Sequence, residues 1–387
     1  MDFLAVGLVS ILSPVLAREI TFPPIAAIQS DQFILGQHEK NIDIVSGSQF
    51  SGLTTFAHIP YVNCFIDSEA ESTPYDIAML GAPFDTGVTA RPGARYGPGG
   101  IRLGSRRIQG WNIYTGQNVF ESWAKLVDCG DAPLTWLDNT VALKQLDLAH
   151  KVLSFSLSVF SGNARLRLWQ VISSRATNST ENGRTPRIVT LGGDHTTTLS
   201  ALRSTYKHFG PVSVIHFDSH IGKLLLSMEH PLLIVVDTWE PEGLIRDNSI
   251  HVGIRGPVIR PKGDIRNDIR CGFSIIKARD LDRLGVAGVV EEIKTRVGNS
   301  KVYISVDIDV LDPAFAPAVA TGTAEPGGFT TRELLSILDA LRGLPVVGGD
   351  VVEVAPIYDT MAETTTLAAA EVAHSLLGLM IDTPVVD

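Results

Sequence analysis

The chain has 387 residues, a formal net charge of −10 and 44% hydrophobic residues. This length and hydrophobic content allow a large buried core, and they exclude a chain that is disordered by composition. The negative charge argues against nucleic acid and anionic membranes as partners, and long-range attraction favours a cationic ligand. No linker-like stretch divides the chain, so we predict one α/β domain over residues 18–387.

Residues 1–17 form an apolar segment that ends in the small residue Ala17. This pattern predicts a secretory signal peptide, and the segment is too short to span a bilayer. Asp2 stands where a signal peptide usually carries positive charge, so a buried amino-terminal strand is the alternative. We therefore expect either the secretory pathway or a cytoplasmic or mitochondrial location, with no membrane segment in the mature chain.

Apolar runs typical of buried strands alternate with helical patterns along the rest of the chain. Strands are predicted at residues 75–81, 188–191, 212–217, 249–254, 302–308 and 346–354. Helices are predicted at residues 139–152, 196–208, 285–296, 330–342 and 362–380. Strands and helices at this spacing indicate a parallel sheet that is covered on both faces.

The cysteines give no sign of a cross-linked or zinc-binding scaffold. Cys64, Cys129 and Cys271 lie far apart in the sequence, and their number is odd. We therefore predict no disulfide framework and no zinc knuckle.

Two carboxylates stand two residues apart where the predicted strand at 302–308 ends. Because side chains alternate along a strand, Asp307 and Asp309 are expected to point to one face while Ile308 packs elsewhere. An unpaired buried carboxylate costs several kcal/mol, and two like charges side by side cost more. A divalent cation between them is therefore the simplest explanation.

The same spacing recurs after the strand predicted at 212–217, where Asp218 and His220 follow. His195 follows a third strand, immediately after a glycine pair and Asp194. Open α/β sheets bind ligands beyond the carboxyl ends of their strands, and all three motifs lie there. We therefore predict that five ligand-type side chains converge on one metal site.

Several of these polar residues also have a purely structural interpretation. His195 alone could cap a helix or form part of the core, and Asp194 could accept hydrogen bonds from the backbone of the next helix. Arg91 and Arg95 are predicted to orient their loop or to pair with carboxylates. Asp312, which precedes a proline, is predicted to be a turn residue.

The chain resembles the ureohydrolase family, and the agmatinases within it, in seven motifs between about residues 75 and 380. The motifs are Gly81-Ala-Pro-Phe-Asp-Thr-Gly87, Arg91-Pro-Gly-Ala-Arg95, Gly192-Gly-Asp-His195, Asp218-Ser-His220, Ser305-Val-Asp-Ile-Asp309, Thr321-Gly-Thr-Ala-Glu-Pro-Gly-Gly328 and Gly349-Asp-Val-Val-Glu353. Singly, most of these strings are weak signals, but their order and spacing make a chance match improbable.

The resemblance implies a three-layer α/β/α fold around a mostly parallel eight-stranded sheet. It also implies hydrolysis of a guanidino compound such as agmatine to urea and an amine, with two Mn²⁺ ions as cofactor and a homo-oligomeric assembly. Paired cations lower the pKa of a water molecule, which would attack the guanidinium carbon. Carboxylate and imidazole ligands suit Mn²⁺.

The family's motifs also imply a role for each candidate residue. One ion would be held by an aspartate that completes the second motif together with His195, Asp218 and Asp307. The other ion would be held by Asp218, His220, Asp307 and Asp309. The two ions would therefore share two carboxylates. Glu353 would bind the substrate cation, and an ordinary strand-end carboxylate is the alternative for this residue.

The second motif departs from the family pattern, because Gly222 stands where a further ligand is expected. Asp237 begins a segment that resembles the missing continuation, so residues 222–236 are interpreted as an insertion. We expect Asp237 to reach the site as a metal ligand and catalytic residue; alternatively, the insertion continues as strand and places it far away. We hypothesise a retained intron in the gene model, which transcript sequencing across this segment tests.

Two further departures leave the activity open. The family's active-site histidine loop has no counterpart, and residues 153–170 are predicted to form a second insertion. A catalytically impaired relative that still binds metal is one alternative function. A mononuclear zinc deacetylase is another, although the Gly192–His195 motif and Glu353 argue against it.

Overall fold

The computed structural model describes residues 52–88, 90–154, 185–221, 243–258, 261–319, 322 and 324–385. The predicted signal peptide, the predicted insertion at 222–236 with Asp237, and residues 155–170 of the second predicted insertion lie outside these ranges. Those three assignments therefore stay predictions.

Eight strands form one sheet, and two short strands form a separate hairpin. The strands are β1 (Ile77–Ala82), β2 (Trp111–Asn112), β3 (Gln117–Asn118), β4 (Leu126–Asp131), β5 (Arg187–Gly192), β6 (Ser213–Phe217), β7 (Ser249–Ile254), β8 (Phe273–Lys277), β9 (Val302–Asp307) and β10 (Val346–Val352). The sheet order is β4-β1-β5-β10-β9-β6-β7-β8, and every neighbouring pair is parallel. The predicted α/β class and eight-stranded sheet are confirmed.

Helices cover the sheet in the manner expected for parallel strands joined by crossover connections. They are α1 (Asp67–Ser72), α2 (Gly97–Gly104), α3 (Asn139–Ser154), α4 (Thr197–Phe209), α5 (Pro261–Arg270), α6 (Asp280–Val297), α7 (Thr331–Ala340) and α8 (Thr364–Asp382). Helix α7 begins with a capping box, in which Thr330 and Glu333 bond each other's backbone N–H groups. Helix α8 is long and apolar enough to cross a membrane, but most of it is buried inside the protein, as in a core helix.

The predictions missed the two edge strands, β4 and β8. Strand β4 has the sequence Leu-Val-Asp-Cys-Gly-Asp, and β8 has Phe-Ser-Ile-Ile-Lys. Both have partly exposed positions, so their sequences mix apolar and polar residues. The strands between them are buried almost throughout and show the continuous apolar runs that were read correctly.

The order of the inner strands decides where the functional side chains meet. Strands β5, β10, β9 and β6 are consecutive neighbours, and each of the predicted site motifs follows one of them. Because the strands are parallel, all four motifs emerge at the same edge of the sheet. The consecutive strands β4 and β5 lie on opposite sides of β1, so the strand order reverses beside this edge. Such a reversal is the usual position of a ligand site in open α/β sheets.

The prediction of no disulfide framework needs a correction, because one pair of cysteines is joined. Cys64 and Cys129 form a disulfide, with their Cα atoms 5.3 Å apart. The pairing follows from the fold, because Tyr61 bridges Asp128 of β4 and so brings the two segments together. A separation of 65 residues hides this contact from the sequence.

Replacing both Cys64 and Cys129 with serine is expected to lower the free energy of unfolding by about 4 kcal/mol, because the bond closes a long loop in the unfolded chain. Thermal unfolding of the oxidised wild type and the double variant measures this difference. Cys271→Ser is the control for the loss of a buried thiol. Equal melting temperatures for the double variant and the wild type would show that the two thiols are not joined.

Candidate metal centre

Two tight turns at the ends of β6 and β9 present the central carboxylates. The Asp218 Oδ1 atom accepts a hydrogen bond from the backbone N–H of His220 at 2.6 Å. The Asp307 Oδ1 atom accepts one in the same way from the backbone N–H of Asp309 at 2.8 Å. Strand alternation was the predicted cause of this arrangement, and it is wrong: β6 ends at Phe217 and β9 ends at Asp307, so the turns aim the side chains.

The two turns are joined to each other. The backbone N–H of Ser219 donates to Asp309 Oδ1 at 3.0 Å. His220 Nδ1 lies 2.9 Å from Asp309 Oδ2 and 3.4 Å from Asp218 Oδ1. One imidazole nitrogen therefore faces carboxylates from two neighbouring strands.

His195 reaches the same carboxylates from β5. Gly193 turns the chain there so closely that a Cβ atom would overlap the carbonyl oxygen of Phe84. His195 Nδ1 lies 3.2 Å from Asp307 Oδ2 and 3.3 Å from Asp218 Oδ2. The structure thus brings together the five predicted ligand residues that it describes, and the sixth, Asp237, lies outside the described ranges.

The crowded carboxylates are strongly perturbed. The pKa of the Asp218 carboxyl is well below its usual value. Burial would by itself raise this pKa, but hydrogen bonds from three imidazoles, led by that of His195, outweigh the effect of burial. Burial raises the pKa of Asp307 well above its usual value, and the charges of Asp309 and Asp218 add to the rise. The site thus concentrates negative charge that needs positive charge beside it.

The two imidazoles show the complementary effect. Burial lowers the pKa of His195, but hydrogen bonds to Asp218 and Asp307 outweigh it and hold this pKa well above its usual value. Burial also opposes ionisation of His220, yet the carboxylates of Asp218 and Asp309 beside its ring raise its pKa to about 11. Protons on the imidazoles thus balance the carboxylates, and a divalent cation would supply the same charge to the same atoms.

The donor set fits a divalent cation. His195, His216 and Asp218 have ligand atoms within 4.8 Å of one another, and so do Asp218, His220 and Asp309. The Asp309 Oδ2 atom is buried and has no hydrogen-bond partner among the described residues, although His220 lies close to it. Asp218 belongs to both groups, as a carboxylate shared by two ions would.

Sequence reasoning missed His216 and His251. His216 Nε2 lies 3.2 Å from Asp218 Oδ2, and His216 Nδ1 lies 2.8 Å from His251 Nδ1. His216 stands two residues before Asp218, so its approach to the site could have been read from the sequence. The position of His251 depends on the register of β6 and β7, which pairs it with His216.

Glu353 follows β10 and has an unusual backbone conformation. Its φ of +63° is in the left-handed region, which residues other than glycine rarely adopt. Its N–H donates to Gly193 O at 2.9 Å, and its Oε1 accepts from the backbone N–H of His195 at 2.8 Å. Burial, followed by the charges of Asp307 and Asp194, raises the pKa of Glu353 well above its usual value. The Oε2 atom is buried and has no hydrogen-bond partner within the part of the chain that the structure describes.

Arg255, which sequence reasoning also missed, fixes the loops around the metal ligands. Its guanidinium donates to the carbonyl oxygens of Asp309 at 2.7 Å, Leu311 at 3.0 Å and Glu325 at 2.7 Å. The Glu325 carboxylate lies 3.8 Å from His220 Nε2. Arg255 therefore holds the Asp309 turn and the Glu325 loop in one arrangement.

The structural interpretations of three other polar residues are confirmed. Asp194 accepts from the backbone N–H of Thr196 at 3.1 Å, at the start of α4. Arg95 donates to Asp85 at 2.7 Å, which ties down their loop. Asp312 accepts from the backbone of the turn that follows it, at 2.9 Å.

The sequence profile of the arginase family matches residues 75–378. This range contains every described residue of the site. The chain belongs to the arginase family. The match covers more than three quarters of the sequence and includes all eight strands of the main sheet.

Individual members of the arginase family are similar over most of the chain. A Schizosaccharomyces pombe protein provisionally named agmatinase 1 is 45% identical, covering 92% of this chain and 88% of that protein. Agmatinase from Proteus mirabilis is 33% identical, covering 80% and 88%. The solved structure of proclavaminate amidino hydrolase from Streptomyces clavuligerus has a TM-score of 0.70 at 30% identity, covering 87% and 99%. This arginase-family chain is therefore an agmatinase-like amidinohydrolase.

Gly256→Ala is expected to weaken divalent-cation binding at this site by roughly tenfold, as disturbing the support of a metal ligand commonly does. A Cβ atom at this position would overlap the His220 ring and press on the Ser219 carbonyl oxygen. Calorimetric Mn²⁺ titration measures the change. Gly99→Ala is the matched control, because a Cβ there meets nothing within 4 Å. Equal affinities in the two variants would show that the His220 ring does not need this space.

Proposed function

We propose that the protein hydrolyses a guanidino compound, agmatine or a close analogue, to urea and an amine with the help of two Mn²⁺ ions. The observation that carries this proposal is the convergence of His195, Asp218, His220, Asp307 and Asp309 from the ends of three strands, β5, β6 and β9, at one edge of the sheet. Membership of the arginase family supports the reaction class.

Each ion has its own set of ligands in this proposal. His195, Asp218 and Asp307 would hold one ion, and Asp237 would complete this set as a ligand and catalytic residue. Asp218, His220, Asp307 and Asp309 would hold the second ion. Oxygen and imidazole donors without a thiolate suit Mn²⁺. When bound, the ions lower the pKa of a water molecule, so that a nucleophile is available near neutral pH.

Glu353 binds and orients the guanidinium of the substrate. Its Oε1 atom is engaged by the backbone of His195, which leaves the buried Oε2 atom as an acceptor for a new donor. A substrate guanidinium offers several N–H donors and the positive charge that stabilises an ionised Glu353. The left-handed backbone of Glu353 keeps this carboxylate beside His195, and so beside the metal ligands.

A urea-release assay on the full chain tests this proposal. Protein loaded with Mn²⁺ is incubated with agmatine, 4-guanidinobutyrate or arginine, and the metal-stripped protein is the control. We expect urea from at least one of these compounds only in the presence of Mn²⁺. Bound Mn²⁺ without urea from any of them would contradict the proposed activity.

A catalytically impaired relative is the second candidate, and the interruption of the second motif at Gly222 favours it. In that case the full chain would bind Mn²⁺ without turnover, and deleting residues 222–236 would restore urea release. The zinc deacetylase alternative has less support, because the arginase-family profile matches the chain and Glu353 lies beside His195.

A further inference from the structure

A buried chain of hydrogen bonds leads from the sheet interior to His195. Asp350, at the centre of β10, is fully buried and pairs in register with Ser305 of β9. Its carboxylate accepts from Ser305 Oγ at 2.7 Å and from Tyr303 Oη at 2.7 Å. Ser305 Oγ in turn lies 3.0 Å from His195 Nε2. Asp350 therefore contacts the predicted metal ligand through one hydroxyl group.

The chemistry of these groups sets the direction of each bond. A carboxylate oxygen only accepts, so the single hydrogen of the Ser305 hydroxyl points to Asp350. The lone pairs of Ser305 Oγ then face His195, and this nitrogen must donate. His195 consequently carries a hydrogen on Nε2 and leaves Nδ1 for the cation, on the side of Asp218 and Asp307.

A second neighbour of His195 Nε2 does not change this result. His216 Nε2 lies 3.2 Å from His195 Nε2. However, His216 Nε2 also lies 3.2 Å from Asp218 Oδ2. Since the carboxylate oxygen only accepts, His216 Nε2 carries a hydrogen of its own. It therefore cannot accept from His195, and Ser305 is the acceptor.

We propose that Asp350 is a positioning residue that acts through Ser305 to hold His195 in the Nε2–H tautomer, with Nδ1 turned to the metal ion. The inference deepens the proposed function and rests on its metal centre. Among the described residues Asp350 makes no ion pair, and a buried carboxylate without a cation is costly. Fixing the tautomer of a metal-binding histidine is a physical reason for a buried carboxylate at position 350.

Calorimetric titration of the full-length protein with Mn²⁺ tests the inference. Ser305→Ala and Asp350→Ala are each expected to lower the affinity of one of the two ions by about 10- to 100-fold, as loss of such supporting groups does elsewhere. Because both act through one hydroxyl, the double variant should lose no more than Ser305→Ala alone. Ser249→Ala is the matched control: Ser249 is also buried, and its Oγ bonds Arg246 O at 2.9 Å away from the metal ligands.

The possible outcomes separate this inference from the proposed function. Wild-type protein that binds no Mn²⁺ would overturn both. Wild-type binding with unchanged affinity in the Asp350 variant, or additive losses in the double variant, would overturn the inference alone. Weaker Mn²⁺ binding by Ser305→Ala and Asp350→Ala than by the wild type supports the inference. This result does not depend on whether the wild type releases urea, because the titration measures metal affinity.

A nuclear magnetic resonance measurement on the wild type tests the tautomer of His195 directly. In the Zn²⁺-loaded protein with ¹⁵N-labelled histidine, we expect a slowly exchanging Nε2–H signal for His195, assigned by its loss in His195→Asn. An Nδ1–H signal for this residue would overturn the inference. The same signal should exchange faster in Ser305→Ala, because the acceptor of that hydrogen is gone.

Discussion

Asp218→Asn is expected to reduce urea production by roughly 10³-fold or more, because the metal-bound nucleophile contributes several kcal/mol to catalysis. Asp218 is the carboxylate common to both groups of ligand atoms. Asparagine keeps the size of the side chain and an oxygen for the backbone N–H of His220, but it removes the charge that the two proposed cations would share. The loss should appear in kcat and in Mn²⁺ binding together.

A matched control is available for this charge removal. Asp312→Asn makes the same chemical change at a turn whose carboxylate bonds only backbone N–H groups among the residues described. We expect its urea production to stay within a few-fold of the wild type. If Asp218→Asn kept a tenth or more of the wild-type rate, Asp218 could not be a ligand that both ions share.

Glu353→Gln is expected to lower kcat/KM for a guanidino substrate by roughly 10²-fold, the effect of removing one member of a buried charged pair. Glutamine can still accept from the backbone N–H of His195, so the local structure has a replacement for that bond. The negative charge that would pair with the guanidinium is lost. Because Glu353 is proposed to bind substrate and no metal, Mn²⁺ affinity should remain within a few-fold of the wild-type value.

Glu363→Gln provides the control for this second variant. Glu363 also has a left-handed backbone, with a φ of +55°, but its side chain is exposed at the start of α8. We expect its kcat/KM to match that of the wild type. A Glu353→Gln enzyme with unchanged kcat/KM, or with weakened Mn²⁺ binding as its main defect, would assign Glu353 a different role.

Much of the site could be predicted because its residues directly follow apolar strands. The runs that became β5, β6 and β9 are continuous, so the polar residues after each run stand out. Parallel strands then place those residues at one edge of the sheet. These two facts select the candidate ligands, even though turns rather than strand alternation aim Asp309 and His220.

The missed features depend on contacts between segments that are distant in sequence. His251 reaches His216 only because β7 lies beside β6 in one register. Arg255 is informative only once its loop meets the Asp309 and Glu325 carbonyl oxygens. The Asp350–Ser305 bond likewise requires β10 to lie beside β9. No periodicity within a single strand encodes such pairings.

The disulfide also depends on a contact between segments that are distant in sequence. The number and spacing of the cysteines predicted no disulfide framework, whereas the position of β4 at the sheet edge brings Cys129 to Cys64. An odd number of cysteines excludes complete pairing but not a single bond.

The manganese content of the purified full chain after dialysis tests the central claim most directly. Elemental analysis should find about two Mn²⁺ ions per wild-type chain, and far less in Asp218→Asn, because this carboxylate is the proposed ligand of both ions and belongs to both groups of ligand atoms. A low manganese content that is the same in the wild type and in Asp218→Asn would contradict the account.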